Sequence, residues 1–158
     1  MKKKIILLTG NEQRHLYSAS FLSKQKNIDL KLVVHESNIK LKENAFYKKD
    51  LDIKRHINLR SKTEKLFFQK FIKKNNRYNF ISIKNKKINE EKIINLIKRE
   101  NFHYIIAYGC SIISNKFINN FRGKFLNIHL GLAPYYKGSG TNFFPFVNKE
   151  LQFCGSTI

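Results

Sequence analysis

An asparagine and a histidine stand two positions apart at the end of an apolar run, as Asn127 and His129 in Phe125-Leu-Asn-Ile-His. Side chains at alternate positions of a strand point to the same side, so we expect both groups on one face. An amide can donate a hydrogen bond to an oxyanion, and an imidazole can move a proton. The pair predicts acyl-transfer chemistry at the carboxyl end of a strand, where open α/β sheets hold their ligands.

The segment after this pair is rich in glycine, which lets a substrate approach the backbone closely. This loop favours a ligand site over the plainer interpretation, in which Asn127 and His129 are a polar pair that caps the strand. We predict substrate contacts in the loop from Pro134, Lys137, Gly138 and Ser139.

Two further turns follow predicted strands. Gly10 and Asn11 precede the first helix, where backbone amides and the helix dipole favour an anion. A single glycine is a weak motif, and a plain turn in which Arg14 and His15 open the helix explains it equally well. The other turn comprises Tyr108, Gly109, Cys110, Ser111, Ile112 and Ile113. Its backbone amides and apolar side chains suit the edge and faces of a flat heterocycle. Taken alone, the segment is equally well explained as a tight turn that packs on the core.

Apolar runs alternate with stretches of helical period, which is typical of a parallel sheet with crossover helices. The predicted strands are 5–8, 30–34, 80–83, 104–107 and 125–128, with one more over 152–158. The predicted helices are 14–26, 64–74 and 90–99, with a short helix start at 143–148. The charged stretch 35–60 is expected to be an irregular or helical excursion from the sheet.

The chain has 158 residues and a net charge of +20. Its length predicts a single domain over 1–158. The charge is spread along the chain, with 25 Lys, so we weight compositional drift above a dedicated nucleic-acid surface. Cys110 and Cys154 lack metal spacing, and we expect no metal and no disulfide. No apolar run is long enough for a membrane span or signal peptide, so we expect a cytoplasmic protein.

These motifs together resemble the 10-formyltetrahydrofolate-dependent formyltransferases, which include glycinamide ribonucleotide, methionyl-tRNA and amino-sugar formyltransferases. The resemblance is carried by Leu126-Asn-Ile-His129, by the loop through Pro134 and Lys137-Gly138, and by Gly155-Ser-Thr157. The turns at Thr9-Gly10 and 108–113 support it. Leu130 and Gly131 make the loop most similar to the branch that formylates amino sugars for surface polysaccharides.

The resemblance implies a Rossmann-like open sheet, mostly parallel, with helices on both faces. It implies 10-formyltetrahydrofolate as formyl donor, bound along 108–113, and a primary amine as acceptor, such as a phosphorylated amino sugar on a nucleotide carrier. Asn127 and His129 would polarise the formyl group and stabilise the tetrahedral intermediate. The family also uses a downstream Asp that this sequence does not reach, so we expect a catalytic domain truncated at its carboxyl edge, with catalysis by the chain alone left open.

Three alternatives stay open. The first is a methionyl-tRNA formyltransferase-like enzyme, in which tRNA would be the partner. The second is a non-catalytic remnant that binds folate or a nucleotide, or half of a split enzyme that self-associates or is completed by a carboxyl-terminal fragment. The third, a basic RNA-binding domain, is disfavoured because most of the 14 Phe residues lie in apolar runs typical of a core.

Overall fold

The computed structural model of the chain describes residues 1–37, 51–72, 78–138 and 141–158. Its centre is a parallel sheet of five strands in the order β3-β2-β1-β4-β5. The strands are β1 Lys3–Gly10, β2 Ile28–Glu36, β3 Asn79–Ile83, β4 Tyr104–Tyr108 and β5 Phe125–Asn127. The helices are α1 Gln13–Ser23, α2 Leu51–Phe68, α3 Glu91–Lys98, α4 Asn115–Asn120 and α5 Phe144–Val147, with 3-10 turns at Gln69–Phe71 and Leu151–Phe153. The predicted open α/β sheet is therefore confirmed.

The central strands form because their apolar side chains are buried on both faces, as expected of parallel sheets. In β1, Leu7 pairs with Val33 of β2 and with Ile106 of β4, and all three are buried on one face. Ile6 and Leu8 face the other way, into a cluster with Ile94 and Ile97 of α3 and Phe117 of α4. Ala19 of α1 covers the first face. The helices thus lie on both sides of the sheet, as predicted.

Helix α2 packs on α1 rather than directly on the sheet. Tyr17 of α1 stacks on Phe68 with ring centroids 5.1 Å apart, and Ser20 Oγ donates to the carbonyl of Phe71 at 3.1 Å. The predicted helix over 64–74 is wrong in its start, because α2 begins at Leu51 and no Gly or Pro interrupts the chain before Glu64. Residues 38–50 of the predicted excursion over 35–60, and the last two residues of the helix predicted over 64–74, lie outside the residues that the structure describes.

The predicted strand over 152–158 is also wrong. Local hydrogen bonds close a 3-10 turn there, from Phe153 N to Glu150 O at 2.9 Å and from Cys154 N to Leu151 O at 3.1 Å. The stretch instead contributes a single antiparallel bridge between Thr157 and His129. Helix α4, which was not predicted, begins at an N-cap in which Ser114 Oγ accepts from Phe117 N at 3.2 Å.

A candidate active site at the carboxyl edge of the sheet

A cavity of about 830 Å³ opens at the carboxyl edge of the sheet, beside the ends of β1 and β4. These neighbouring strands are the point at which the strand order reverses, since β2 lies on one side of them and β5 on the other. Open α/β sheets hold their ligands at such a switch point. One wall comes from α1, α2 and the end of β4, with Arg14, His15, Arg60, Glu64, Tyr108 and Gly109. The other part of the lining comes from the chain after β5, including Ile128, His129, Leu130, Phe143 and Phe146.

His129 is fixed at the cavity wall by its backbone. Its N–H donates to Thr157 O at 2.9 Å, and Thr157 N donates back to His129 O at 3.0 Å. The Thr157 hydroxyl also holds the loop that follows, by donating to Gly131 O and accepting from Ala133 N, each at 2.9 Å. The backbone is therefore anchored independently of the imidazole. His129 as a whole is half-buried and lines the cavity.

Asn127 occupies a different environment from His129. It is the last residue of β5, where it pairs with Ala107, and its side chain is exposed. Among the described residues, the cavity lining contains His129 and Ile128 but not Asn127. The two-residue spacing thus brings one member of the pair to the cavity and leaves the other at its margin.

The glycine-rich loop folds back on itself beside His129. Thr141 Oγ donates to the carbonyl of Leu130, and a Cβ on the buried Gly131 would lie 2.6 Å from Thr141 Cβ, so this close approach requires glycine. Gly138 lines the cavity, with a φ of +91°. Pro134 and Lys137 are exposed and lie outside the lining, and Ser139 falls outside the described residues.

The segment 108–113 is divided between the cavity and the core. Tyr108 and Gly109 line the cavity, whereas Cys110 and Ile113 pack against the hydrophobic cluster below α3. The amide of Ser111 donates to Glu36 Oε2 at 2.6 Å, and Ile112 is 91% exposed. Burial, followed by the charge of Glu36, raises the pKa of Cys110 to about 12. Only the start of this predicted donor-binding segment reaches the cavity.

His15 is one of the cavity residues that were not predicted from the sequence. Its ring is 1% exposed and lies against two glycines: a Cβ on Gly10 would be 2.4 Å from His15 Nδ1, and a Cβ on Gly109 would also clash. Nδ1 has no hydrogen-bond partner among the described residues. Burial, and then the nearby charges of Arg14 and Arg60, lower the pKa of His15 to about 3. The imidazole is therefore neutral at physiological pH.

Gly10 and Asn11 differ in accessibility. Gly10 is buried and its open side is filled by the His15 ring, whereas Asn11 is exposed. The turn after β1 therefore makes room for a side chain of its own helix. The signal in the sequence was that Gly10 and Gly109 each follow a predicted strand and that His15 lies just after the first of them, so the two turns leave room for its ring.

Arg14, Arg60 and Glu64 also line the cavity and were not predicted as site residues. The four-residue spacing of Arg60 and Glu64 is typical of an ion pair along a helix, which is the signal that the sequence offered. Within the described ranges, no group of three or more His, Cys, Asp or Glu side chains is placed to hold a metal ion. Across those same ranges, no helix has the length and hydropathy of a membrane span.

The sequence matches a family model described as "Formyl transferase" over residues 4–143. A curated relative, the methionyl-tRNA formyltransferase of Finegoldia magna, is 29% identical over 69 residues, which cover 42% of this chain and 22% of that protein. The matched segment thus spans about a fifth of the length of this relative.

Solved structures with the same fold include phosphoribosylglycinamide formyltransferase from Anaplasma phagocytophilum, with a TM-score of 0.60 and 15% identity over 94% of this chain and 59% of that one. For the glycinamide ribonucleotide transformylase 1 from Geobacillus kaustophilus, the TM-score is 0.58 and the sequence identity is 14%, over 94% of this chain and 69% of that one. For a formyltetrahydrofolate deformylase from Pseudomonas syringae pv. tomato, the TM-score is 0.53 and the sequence identity is 13%, over 94% of this chain and 42% of that one. At these identities the likeness shows the fold alone.

Proposed function

Because the chain belongs to the formyl transferase family, we propose that it takes part in transfer of a formyl group from 10-formyltetrahydrofolate to a primary amine. The observation that carries the proposal is the position of His129 on the wall of the cavity at the switch point of the sheet. The amine nitrogen would bond to the formyl carbon of the donor, the bond from that carbon to N10 would break, and tetrahydrofolate would leave with the proton that the amine loses. The cavity has an apolar wall with room for a flat ring, formed by Ile128, Leu130, Phe143 and Phe146.

The side chains on the cavity wall suit this chemistry. His129 is held from behind by the Thr157 backbone, so its imidazole can remain beside the reacting carbon and accept a proton from the attacking amine. Asn127 can donate an amide N–H to the oxygen of the formyl group as negative charge develops there. That second role requires the exposed Asn127 side chain to turn towards the bound donor.

As acceptor we propose a phosphorylated amino sugar on a nucleotide carrier. The support is the resemblance of the loop that begins Leu130-Gly131 to the amino-sugar branch, together with the mixed lining of the cavity. One wall carries the charged Arg14, Arg60 and Glu64, and the other carries aromatic side chains. Such a cavity suits a ligand with an anionic part and a flat apolar part.

Two competing functions rest on observations of their own. The 29% identity to a methionyl-tRNA formyltransferase supports methionyl-tRNA as acceptor. The position of Asn127 outside the cavity lining supports a protein that binds donor or nucleotide without turnover.

The test combines donor binding with an acceptor screen. Calorimetry with a non-hydrolysable 10-formyltetrahydrofolate analogue should show saturable binding, and mass spectrometry should show a formylated nucleotide-linked amino sugar. Methionyl-tRNA and glycinamide ribonucleotide serve as rival acceptors in the same assay. The exposed His56→Ala on α2 is the matched control for His129→Ala. Binding without transfer to any acceptor would favour the non-catalytic function, and no binding by a folded chain would refute both.

A further inference from the structure

Four charged side chains form a closed box where α1 and α2 reach the cavity. Arg14 of α1 forms ion pairs with Glu12 and Glu64, and Arg60 of α2 contacts the same two carboxylates, at 3.1 Å from Nη2 to Glu12 Oε2 and 3.1 Å from Nε to Glu64 Oε1. Each arginine thus touches both glutamates. Arg14, Arg60 and Glu64 line the cavity itself.

The box is a weak source of stability for the fold. Its side chains are between 15% and 43% exposed, and ion pairs with this access to water contribute little to the stability of a fold. Holding the two long arginine side chains in one geometry also costs conformational entropy. Stability alone therefore gives a poor account of why two arginines are held side by side at a cavity.

The same geometry suits an anion. A guanidinium has five N–H donors, and each arginine uses two of its nitrogens on the glutamates in the described contacts. The remaining donors are held in fixed directions by the carboxylates, so less rotamer entropy is lost when a ligand binds.

The surroundings add to the attraction. Helix α1 begins at Gln13, so its positive end lies beside the box. The turn at Gly10 is filled by the His15 ring. An anion in this part of the cavity would therefore meet guanidinium groups rather than the bare amides of the turn.

We infer that Arg14 and Arg60 bind the phosphate groups of the acceptor, in particular a diphosphate, while Glu12 and Glu64 hold both guanidinium groups ready. This site deepens the proposed function, on which it rests for the identity of the acceptor. The arginines would hold the phosphate groups of the acceptor, and the amine of the same molecule would be left free to reach His129 in the same cavity lining.

The test is titration calorimetry of the full chain with inorganic pyrophosphate and, separately, inorganic phosphate, at about 0.15 M ionic strength so that diffuse charge is screened. Pyrophosphate should bind more tightly than phosphate. Arg60→Gln should weaken pyrophosphate binding by about tenfold, because charge-assisted hydrogen bonds are lost. Arg99→Gln, which removes the same charge from an exposed site at the end of α3, should change the affinity less than twofold.

Glu64→Gln separates this site from a structural role. Gln keeps an oxygen that can accept from both guanidinium groups, but it removes a competing negative charge, so pyrophosphate binding should become tighter. A purely structural box instead predicts lower thermal stability and unchanged affinity for both Arg60→Gln and Glu64→Gln. Equal weakening by Arg60→Gln and Arg99→Gln, or no binding of pyrophosphate by the folded wild type, would overturn the proposal. The titration uses neither formyl donor nor turnover, so formyl transfer that fails while pyrophosphate binds would count against the function and leave the anion site standing.

Discussion

The imidazole of His15 occupies the space that a side chain on Gly109 would need. A Cβ on Gly109 would lie 2.2 Å from His15 Nε2, and the same ring lies against Gly10. The ring also makes an edge contact with Tyr108, with centroids 5.2 Å apart. One side chain of α1 thus joins the turns that follow two neighbouring strands, at the wall of the cavity. This contact makes the shape of the site sensitive to small changes at the glycines.

Gly109→Ala should destabilise the protein by about 3 kcal/mol, since the new methyl group adds overpacking against His15 to the strain of a φ of +65°. Gly123→Ala is the matched control. Gly123 has a φ of +72° with no atom within 4 Å of the added Cβ, so only the backbone strain of about 1 kcal/mol is expected. Urea denaturation measures both values. Equal losses in the two variants would mean that the His15 ring moves aside freely.

Stability should fall on mild acidification because of His15. Its pKa is about 3 when folded and about 6.5 when unfolded, so between these pH values the unfolded state binds more protons. The free energy of unfolding should drop by at most about 2 kcal/mol from this residue between pH 7 and pH 5, and level off near pH 3. Burial also lowers the pKa of His35, which acts in the same direction.

His15→Gln isolates this contribution, because it removes the titrating group while keeping a polar side chain. Denaturation at pH 7 and pH 5 should show a smaller difference in the variant than in the wild type. Arg14, Arg60, His35 and Tyr108 face the imidazole, and none is changed by the substitution. An identical pH dependence in the two proteins would show that another group is responsible.

The sequence was sufficient to predict the sheet because burial on both faces demands continuous apolar runs. Ile5 to Leu8 and Leu30 to Val34 lie within β1 and β2, and each observed strand extends the predicted one by two residues at either end. Helix α2 was placed too late because Leu51 and Leu59 in its first turns are exposed and mark no buried face, whereas Phe68 at its carboxyl-terminal end stacks on Tyr17 of α1. The last predicted strand failed because local hydrogen bonds at Leu151–Phe153 competed with pairing.

The site was only partly predictable, for a different reason. His129, Tyr108, Gly109 and Gly138 were expected as site residues and line the cavity, but their functional roles stay predictions. His15 and Arg60 were missed because their importance comes from packing between α1, α2 and the turn after β4, which lie far apart in sequence. A spacing rule detects residues on one element, and it does not detect contacts that the tertiary fold creates.

The two cysteines should differ sharply in reactivity. Burial and the charge of Glu36 raise the pKa of Cys110 to about 12, so at pH 8 only about one part in 10⁴ of this thiol is ionised. Cys154 is exposed. Ellman's reagent should therefore modify one thiol rapidly in the native protein and two after denaturation, and Cys154→Ser should abolish the rapid phase. A rapid phase that survives in Cys154→Ser would show that the segment 108–113 opens readily.

His129→Ala should lower kcat for formyl transfer by about 10²- to 10⁴-fold with little change in thermal stability. The backbone hydrogen bonds to Thr157 that anchor this position do not involve the imidazole, so the loop should keep its place. His56→Ala should leave kcat unchanged, which controls for a general effect of losing a histidine. Loss of activity together with a large fall in melting temperature would point to a structural role for the imidazole instead.

Asn127→Ala tests whether the exposed member of the pair joins the reaction. An oxyanion donor acts mainly on the transition state, so its removal should lower kcat by about 10²- to 10³-fold and leave KM nearly unchanged. Because Asn127 lies outside the cavity lining, this result would require its side chain to reorient when the donor binds. Wild-type turnover in Asn127→Ala, with His129→Ala inactive, would assign the chemistry to His129 and leave Asn127 as the polar end of β5.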